Sequence, residues 1–573
     1  MVLQLHVLGS AWLYALVAWA IIDFKIQGAS QLNATLQGRL MQAKPWAQPC
    51  FSDQNGTNCK AIIAKISSAY FRVEEYQGFQ NMQGEGCMSD PNDQCILNAT
   101  SLLVPASSPG CQQGITSPYY VEITTAADVQ AVFQHARTTG TILSIKNTGH
   151  DYVMRSSRQG SIAVWTRKLQ EKVFHESFAP DGCSELDSTH GSDSAVTFGA
   201  GVSMDDAISF AHQHGVLFAA GSAGSLGASG GWLLNGGHSH IANTYGLAVD
   251  RILQLTIVTP DGQVRTANRC TNKDLFWALR GGGGGAFGVV LNSTWIAEPE
   301  TPLTSAFISF PGTAKNRRPF VELLAENMLG WALSGWSGPS ATNYTLLNNP
   351  FLNTSEANTS LSKLVHYARG QGGSAVIQTH RSYFDYYALY INGSFANPAP
   401  VSTATFVTSR IVPENIFRDT TARTKMVDAI FETEAAGLTP LFLTTTPFLY
   451  GRNHKEAVNA TSLNPAWYRS IWHVVVQGLS WTGEASKGER IKAVSRLGKT
   501  TKKWIEVIPD GCTYANEADP WLEDWTKHFW GDNYPRLVDI KRRVDPDNLL
   551  SCWHCVGWED TLPQYGCIHG LME

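Results

Sequence analysis

Charge is sparse along this chain. Asp, Glu, Lys and Arg make up only 16% of the 573 residues and sum to −5, and Lys and Arg nowhere gather into a block able to track a phosphate backbone. Nucleic acid is thereby excluded as a partner. No repeat of fixed period and no low-complexity tract occurs, so solenoids and long flexible linkers are excluded as well. What fills the sequence instead is 43% hydrophobic residues, with 51 Gly, 18 Trp, 18 Tyr and 24 Phe. That composition buries a large core, and the length predicts two or three domains at roughly 100–200 residues each.

Residues 1–22 carry no charged side chain, and residues 7–22 are one apolar run. Its length is at the short limit for a membrane span. Small residues suited to signal-peptidase cleavage follow at Ala18 and Ala20 or at Gly28 and Ser30, so the segment reads as a secretory signal peptide rather than a retained anchor. Eleven cysteines support export, five of them within residues 50–111, and the odd count leaves at least one unpaired. Asn-x-Ser/Thr sites at Asn33, Asn55, Asn98, Asn292, Asn343, Asn353, Asn358, Asn392 and Asn459 predict N-linked glycans.

Residues 119–123 alternate like a strand. Thr125 and Asp128 then start a helix that Gly140 stops, and a second strand over 141–145 empties into Lys146, Asn147, Thr148, Gly149, His150 and Asp151. After a strand at 196–198 and a helix between Ser203 and Gly215 comes a loop dense in Gly and Ser, residues 221–231. Its backbone can approach an anion with no side chain in the way. A hairpin over 252–267 and a short helix at 274–279 lead into Gly281–Gly285. Gly283, Gly285 and Gly288 match the dinucleotide fingerprint formally, but a helix precedes them and a strand-like run, 289–297, follows. The order is the reverse of what a nucleotide-binding turn needs, so these glycines predict close packing against a flat group or a neighbouring backbone. From about residue 299 strand-like segments at 375–378, 384–391, 405–411 and 472–477 predict a second domain, and a helix near 534–541 with Asp545 and Asp547 closes the chain.

Taken together, the runs 147–152, 221–239, 245–250 with 258–262, 274–285 and 534–545 resemble the FAD-linked oxidases of the vanillyl-alcohol oxidase superfamily, in the secreted fungal type of the berberine bridge enzyme-like branch. The resemblance implies an α+β fold. A PCMH-type FAD-binding domain of two subdomains is split in the chain, and the domain inserted into it is built on a large antiparallel sheet covered by helices. Expected boundaries are 1–30 for the signal peptide, 31–300 for the first part of the FAD domain with its core at about 115–300, 301–500 for the substrate domain, and 501–573 for the returning C-terminal part.

It further implies that His150 bonds covalently to the flavin and that Lys146, Asn147, Thr148, Gly149, Asp151, Ser222, Ser225, Gly227, Gly231, His238 and Val258 contact FAD. For His238 a core position is the competing reading. Doubly linked members place a cysteine in the second glycine loop, where this chain has Ala223, so a single linkage through His150 is expected. A neutral imidazole suits that role as a nucleophile. Metal is not expected: His238 and His240 lack a matching carboxylate or cysteine cluster, and Cys552, Cys555 and Cys567 in an exported chain predict disulfides.

Oxidation of an alcohol needs a proton acceptor within hydrogen-bond reach. Matching to the family's substrate domain suggests Glu456 and Tyr450. Tyr383, in an aromatic stretch read as a pocket-lining strand, is a third candidate. The function implied is a secreted oxidase that moves a hydride from an alcohol, carbohydrate, phenolic or secondary-metabolite substrate to FAD and then to O2, giving H2O2. A biosynthetic dehydrogenase or cyclase and a non-catalytic flavin-binding glycoprotein are the alternatives. A monomer with no membrane insertion after leader removal is expected.

Overall fold

Thr125 marks the end of one strand and the start of one helix because its hydroxyl accepts the Asp128 N–H while the Asp128 carboxylate accepts the Thr125 N–H in return. The helix Ala126–Thr139 that follows ends at Gly140, which sits at φ +70° where a side chain would be strained. Its buried positions Val129, Val132, Phe133 and Ala136 pack on a four-stranded sheet in the order Leu40–Gln42, Tyr119–Glu122, Ile162–Trp165, Leu143–Lys146, in which the last three strands run parallel. This is the strand, helix, strand unit expected from the sequence, and it delivers the turn 147–151 to the C-terminal end of the sheet.

The computed structural model describes residues 28–81, 86–106, 108, 110–183, 194–394, 402–559 and 565–572. The expected signal peptide lies outside these residues except for 28–30. Ala29 opens the helix Ala29–Thr35 and is buried with Leu32 against the first sheet, so the expected boundary at residue 30 falls inside a packed element.

A second sheet of five antiparallel strands, Lys172–His175, Ala195–Gly199, Val289–Ile296, Ile252–Val258 and Val264–Asn268 in that order, carries the helix Lys273–Leu279 and the glycine run after it. The third sheet has seven strands, in the order Ser374–His380, Leu303–Ser309, Tyr344–Asn349, Gly338–Ser340, Thr439–Thr444, Ser470–Thr482, Thr403–Pro413, and all its pairings are antiparallel. Alternation gives this sheet two dry faces. Phe406, Val412, Phe442, Val474 and Val476 pack under the long helices Arg317–Leu333, Thr420–Ala435 and Lys487–Val507, whereas Leu303, Leu346 and Ile411 join the core built on the five-stranded sheet. Asn243, fully buried, ties the halves together: its amide donates to the Ala332 and Trp336 carbonyls and its oxygen accepts the Leu449 N–H.

One element differs in kind from the sequence reading. Residues 384–391 are not a strand but the helix Tyr383–Tyr386, started by the Ser382 hydroxyl accepting the Asp385 N–H, which continues into the π-helical segment Tyr387–Ser394. The buried rings Tyr383, Tyr386, Tyr387 and Tyr390 recur at i, i+3, i+4, i+7, the helical period that an apparent alternation concealed.

The chain returns to the half built on the five-stranded sheet in the helix Tyr534–Val544. There Lys541 Nζ donates to the Ala286 carbonyl at 2.7 Å, the Leu550 carbonyl at 2.9 Å and Asp545 Oδ2 at 2.5 Å, which fastens the closing helix to the glycine run. Five disulfides form, Cys50–Cys59, Cys87–Cys567, Cys95–Cys111, Cys183–Cys270 and Cys552–Cys555, and Cys512 is free and buried. Cys87–Cys567 links residues 480 apart and so removes the most freedom from the unfolded chain. Replacing both by Ser is expected to lower the unfolding free energy by roughly 3–5 kcal/mol, read from denaturant midpoints under non-reducing conditions. No helix among the described residues is long and apolar enough to cross a membrane.

Candidate active site

The turn after Leu143–Lys146, the glycine-rich loop 221–231 and the glycine run 284–288 converge on one cavity of about 580 Å³, walled on its far side by the seven-stranded sheet. Cofactor-sized pockets run from about 300 to 1,000 Å³. Asn147, Thr148, Gly149, His150 and Asp151 line it, as do Ser222, Ser225, Gly227, Gly231 and His238.

Glycine is required where the loops close on the Asn147 side chain and on one another. A Cβ on Gly227 would fall 1.8 Å from Asn147 Oδ1, and one on Gly284 would fall 2.9 Å from the Gly231 Cα. Asn147 is held by its amide, which donates to Thr166 Oγ1 at 3.0 Å and to the Ala200 carbonyl, while its buried Oδ1 has no partner within the protein. An unsatisfied acceptor beside bare glycine backbone, in a cavity of this volume, fits a large polar cofactor.

His150 projects from this turn. Its Nε2 is 2.8 Å from Ser225 Oγ, and burial, reinforced by the Lys146 charge, pushes its pKa down to about 4, so the imidazole is neutral at physiological pH. Ala223, in the glycine loop, is the cavity residue where a second linkage would need a cysteine; Cys552 and Cys567 also line the cavity, but each is committed to a disulfide.

Lys146 and Val258 do not line the cavity, and Asp151, which does, has its carboxylate engaged by the turn itself. Lys146 is fully buried beneath the rings of Tyr76, Phe79 and Trp165, and its Nζ donates to the Glu75 carbonyl, so it supports the turn from behind. The Asp151 carboxylate accepts the N–H groups of Val153, Arg155 and Ser156 and the Ser156 hydroxyl, which uses it to shape the turn. Val258 lies behind Gly288, whose absent Cβ would sit 2.4 Å from the Val258 carbonyl.

The proposed proton acceptors are outside the cavity. The Glu456 side chain is 78% exposed beside His454, and Tyr450 stacks on His454 next to Gly246. Tyr383 is buried among Tyr386 and Tyr387 and does not line the cavity. The segment matched for Glu456 and Tyr450 is two short helices, Phe448–Asn453 and Ala457–Ala460, and the strands facing the cavity are those on either side of it.

A different titratable cluster stands at the cavity. His238 Nε2 is 3.2 Å from Glu517 Oε1, and His238 Nδ1 is 3.3 Å from the Thr445 hydroxyl. His473 approaches the other carboxylate oxygen at 3.3 Å, and its ring stands edge-on to that of His238. Burial opposes the Glu517 charge, yet the two imidazoles, His238 above all, hold its pKa below the ordinary value. Glu517 carried no sequence signal. His473 carried a faint one: a lone imidazole on the same strand face as Val475 and Gln477 in an otherwise apolar run.

Buried imidazoles also set an acid limit. Burial pushes His240 and His473 down to about 3, His528 to about 4 and His554 to about 2, with His238, Arg410 and Arg155 respectively adding to the effect at His240, His528 and His554. The unfolded chain takes up these protons near pH 6.5 and the folded chain does not. Stability is therefore complete above that pH and declines below it, by on the order of 2 kcal/mol per histidine at pH 5. Urea midpoints at pH 7 and pH 5 measure this.

Residues 117–268 match the family described as FAD binding domain, and residues 513–554 match the one described as berberine and berberine like. The FAD-linked oxidoreductase OXR2 of Pyricularia oryzae is 38% identical over 93% of this chain and 92% of its own, and the FAD-linked oxidoreductase cheF of Chaetomium globosum is 39% identical over 92% and 86%. The chain belongs to the FAD-linked oxidoreductases of the vanillyl-alcohol oxidase family. Among solved structures, the VAO-type flavoprotein MtVAO615 from Myceliophthora thermophila superposes on this oxidoreductase with a TM-score of 0.79 and 25% identity, covering 93% of this chain and 95% of its own. A chitooligosaccharide oxidase, at 18% identity and a TM-score of 0.63, covering 86% of this chain and 99% of its own, shares the fold.

Proposed function

We propose that this oxidoreductase is a secreted oxidase that takes two electrons and two protons from a C–H/O–H group, leaving a carbonyl, and passes them to O2 to give H2O2. FAD, tethered through a single bond to His150, supplies the two-electron acceptor when bound. One observation carries the reading: the His150 imidazole lines the cavity within the glycine cradle, with its Nε2 2.8 Å from Ser225 Oγ. Ser225 occupies its Nε2, so the linkage is assigned to Nδ1. Glucooligosaccharide oxidase from Acremonium strictum carries a 6-S-cysteinyl, 8α-N1-histidyl FAD. With Ala223 in the glycine loop here, only the histidyl bond is proposed.

The side chains divide the remaining work. Asn147, Thr148 and the backbone of Gly227, Gly231 and Gly284 hold the cofactor, and Asp151 and Lys146 keep the turn in shape. The His238–Glu517 pair receives the hydroxyl proton: Nε2 already faces Oε1, so a proton arriving on the ring gives an imidazolium beside a carboxylate, which stabilises it. Five disulfides and exposed glycan acceptors at Asn55, Asn353, Asn358 and Asn459 support export. Peroxide release on addition of a reducing substrate tests the oxidase. Flavin reduction without peroxide identifies a dehydrogenase, and a flavin that no donor reduces identifies a binding protein.

A further inference from the structure

The sheet meets the cavity with hydrocarbon. Leu441 and Leu443 alternate on one strand, Val475 lies opposite Leu441 on the next, and Val407 extends the wall on the strand beyond. Ile391, from the π-helical segment, adds a fifth aliphatic side chain. The main chain offers a ligand nothing here, because the strand Ser470–Thr482 is paired on both sides. At the side of the cavity formed by the π-helical segment, Asn392 and Tyr70 also line it, but both donate to the Asp205 carboxylate and are engaged.

Among the described residues, the sheet lines the cavity with Val407, Leu441, Leu443, Val475 and one polar side chain, Gln477, while Ser409, paired with Val475, is engaged in accepting the Tyr514 N–H. His473, opposite Leu443, reaches the His238–Glu517 pair, and Gln477 is four residues along the same strand. At about 3.3 Å per residue they are about 13 Å apart, with Leu441 and Val475 between.

Resting on the oxidoreductase reading above, we propose that the substrate has an apolar body and a single reacting hydroxyl, and that carbohydrates are excluded. A pyranose carries an oxygen on every ring carbon, and each hydroxyl turned to this wall leaves water for carbon. An unmatched buried hydroxyl costs roughly tenfold or more in affinity. An apolar ring or chain loses nothing of that kind and gains from the same contact. The pair at one end and Gln477 at the other are enough to orient such a molecule with its hydroxyl toward the proton acceptor.

The test titrates the holoenzyme with benzyl alcohol and geraniol, and with glucose and cellobiose, following the flavin difference spectrum and the heat of binding. The alcohols are expected to bind at least about 100-fold more tightly than either sugar, the equivalent of two unmatched hydroxyls, and with a negative heat-capacity change. Leu441→Gln is expected to weaken the alcohols about tenfold, whereas Leu441→Met, which keeps size and apolarity, retains the ratio. Equal affinity for sugars and alcohols, no binding by the alcohols, or a ratio unmoved by Leu441→Gln overturns the proposal. If the ratio holds but no donor reduces the flavin, the oxidase reading fails and the apolar site stands.

Discussion

His150→Ala is expected to transfer all of the yellow colour from pellet to supernatant when the protein is precipitated with acid, because the bond proposed to survive denaturation is gone. The cavity itself remains, since the glycines at 227, 231 and 284 and the Asn147 side chain do not depend on the imidazole. The variant should therefore still bind FAD, reversibly, and lose it on dilution. The acid behaviour of the linkage follows from the same burial. With a pKa near 4, His150 stays an unprotonated nucleophile down to about pH 5, so covalent incorporation into flavin-free protein is expected to be flat between pH 8 and pH 5. An ordinary imidazole would be half protonated near pH 6.5 and slow about tenfold for each further unit. A yellow pellet from the Ala variant would show that the bond lies elsewhere, and incorporation that halves at pH 6.5 would show that His150 is not shielded as the cavity implies.

Local signals were legible and long-range ones were not. The turn carrying His150 was readable because a strand, a capped helix ended by Gly140 and a second strand occupy consecutive residues, and each rule involved acts within a few positions. Rejection of the dinucleotide fingerprint at Gly283 rested on element order alone, and the structure has that order, with Lys273–Leu279 before the glycines and Val289–Ile296 after. The proton acceptor had no comparable basis. Glu517 reaches the cavity only because residues 513–519 return after the whole seven-stranded sheet has been built, and it meets His238, 279 residues earlier, across the join. No periodicity encodes that distance. The tyrosine segment failed for a different reason: Tyr383, Tyr386, Tyr387 and Tyr390 satisfy a helical spacing that is plain once the whole set is counted, but a five-residue window shows aromatics in apparent alternation. The roles of Lys146 and Asp151 were blurred because a residue type suited to binding an anion or a ribose is equally suited to supporting the turn that does so.

Removal of the His238–Glu517 pair should separate chemistry from cofactor binding. His238→Ala is expected to slow flavin reduction by about 10²- to 10⁴-fold, the usual contribution of a positioned general base, while covalent flavin content stays at the wild-type level because His150 and the glycine loops are untouched. Glu517→Gln keeps the shape and a hydrogen-bond acceptor but removes the charge that stabilises an imidazolium. The rate should fall at least tenfold. A carboxylate that merely packs the cavity would leave the rate unchanged in Glu517→Gln, which keeps its shape. Tyr450→Phe and Glu456→Gln are the complementary controls. One side chain stacks on His454 and the other stands in solvent, neither lines the cavity, and both variants should reduce their flavin within about twofold of the unaltered protein. A large loss in either, with His238→Ala unaffected, would place the proton acceptor on the helices Phe448–Asn453 and Ala457–Ala460 and require that segment to move against the cavity during turnover.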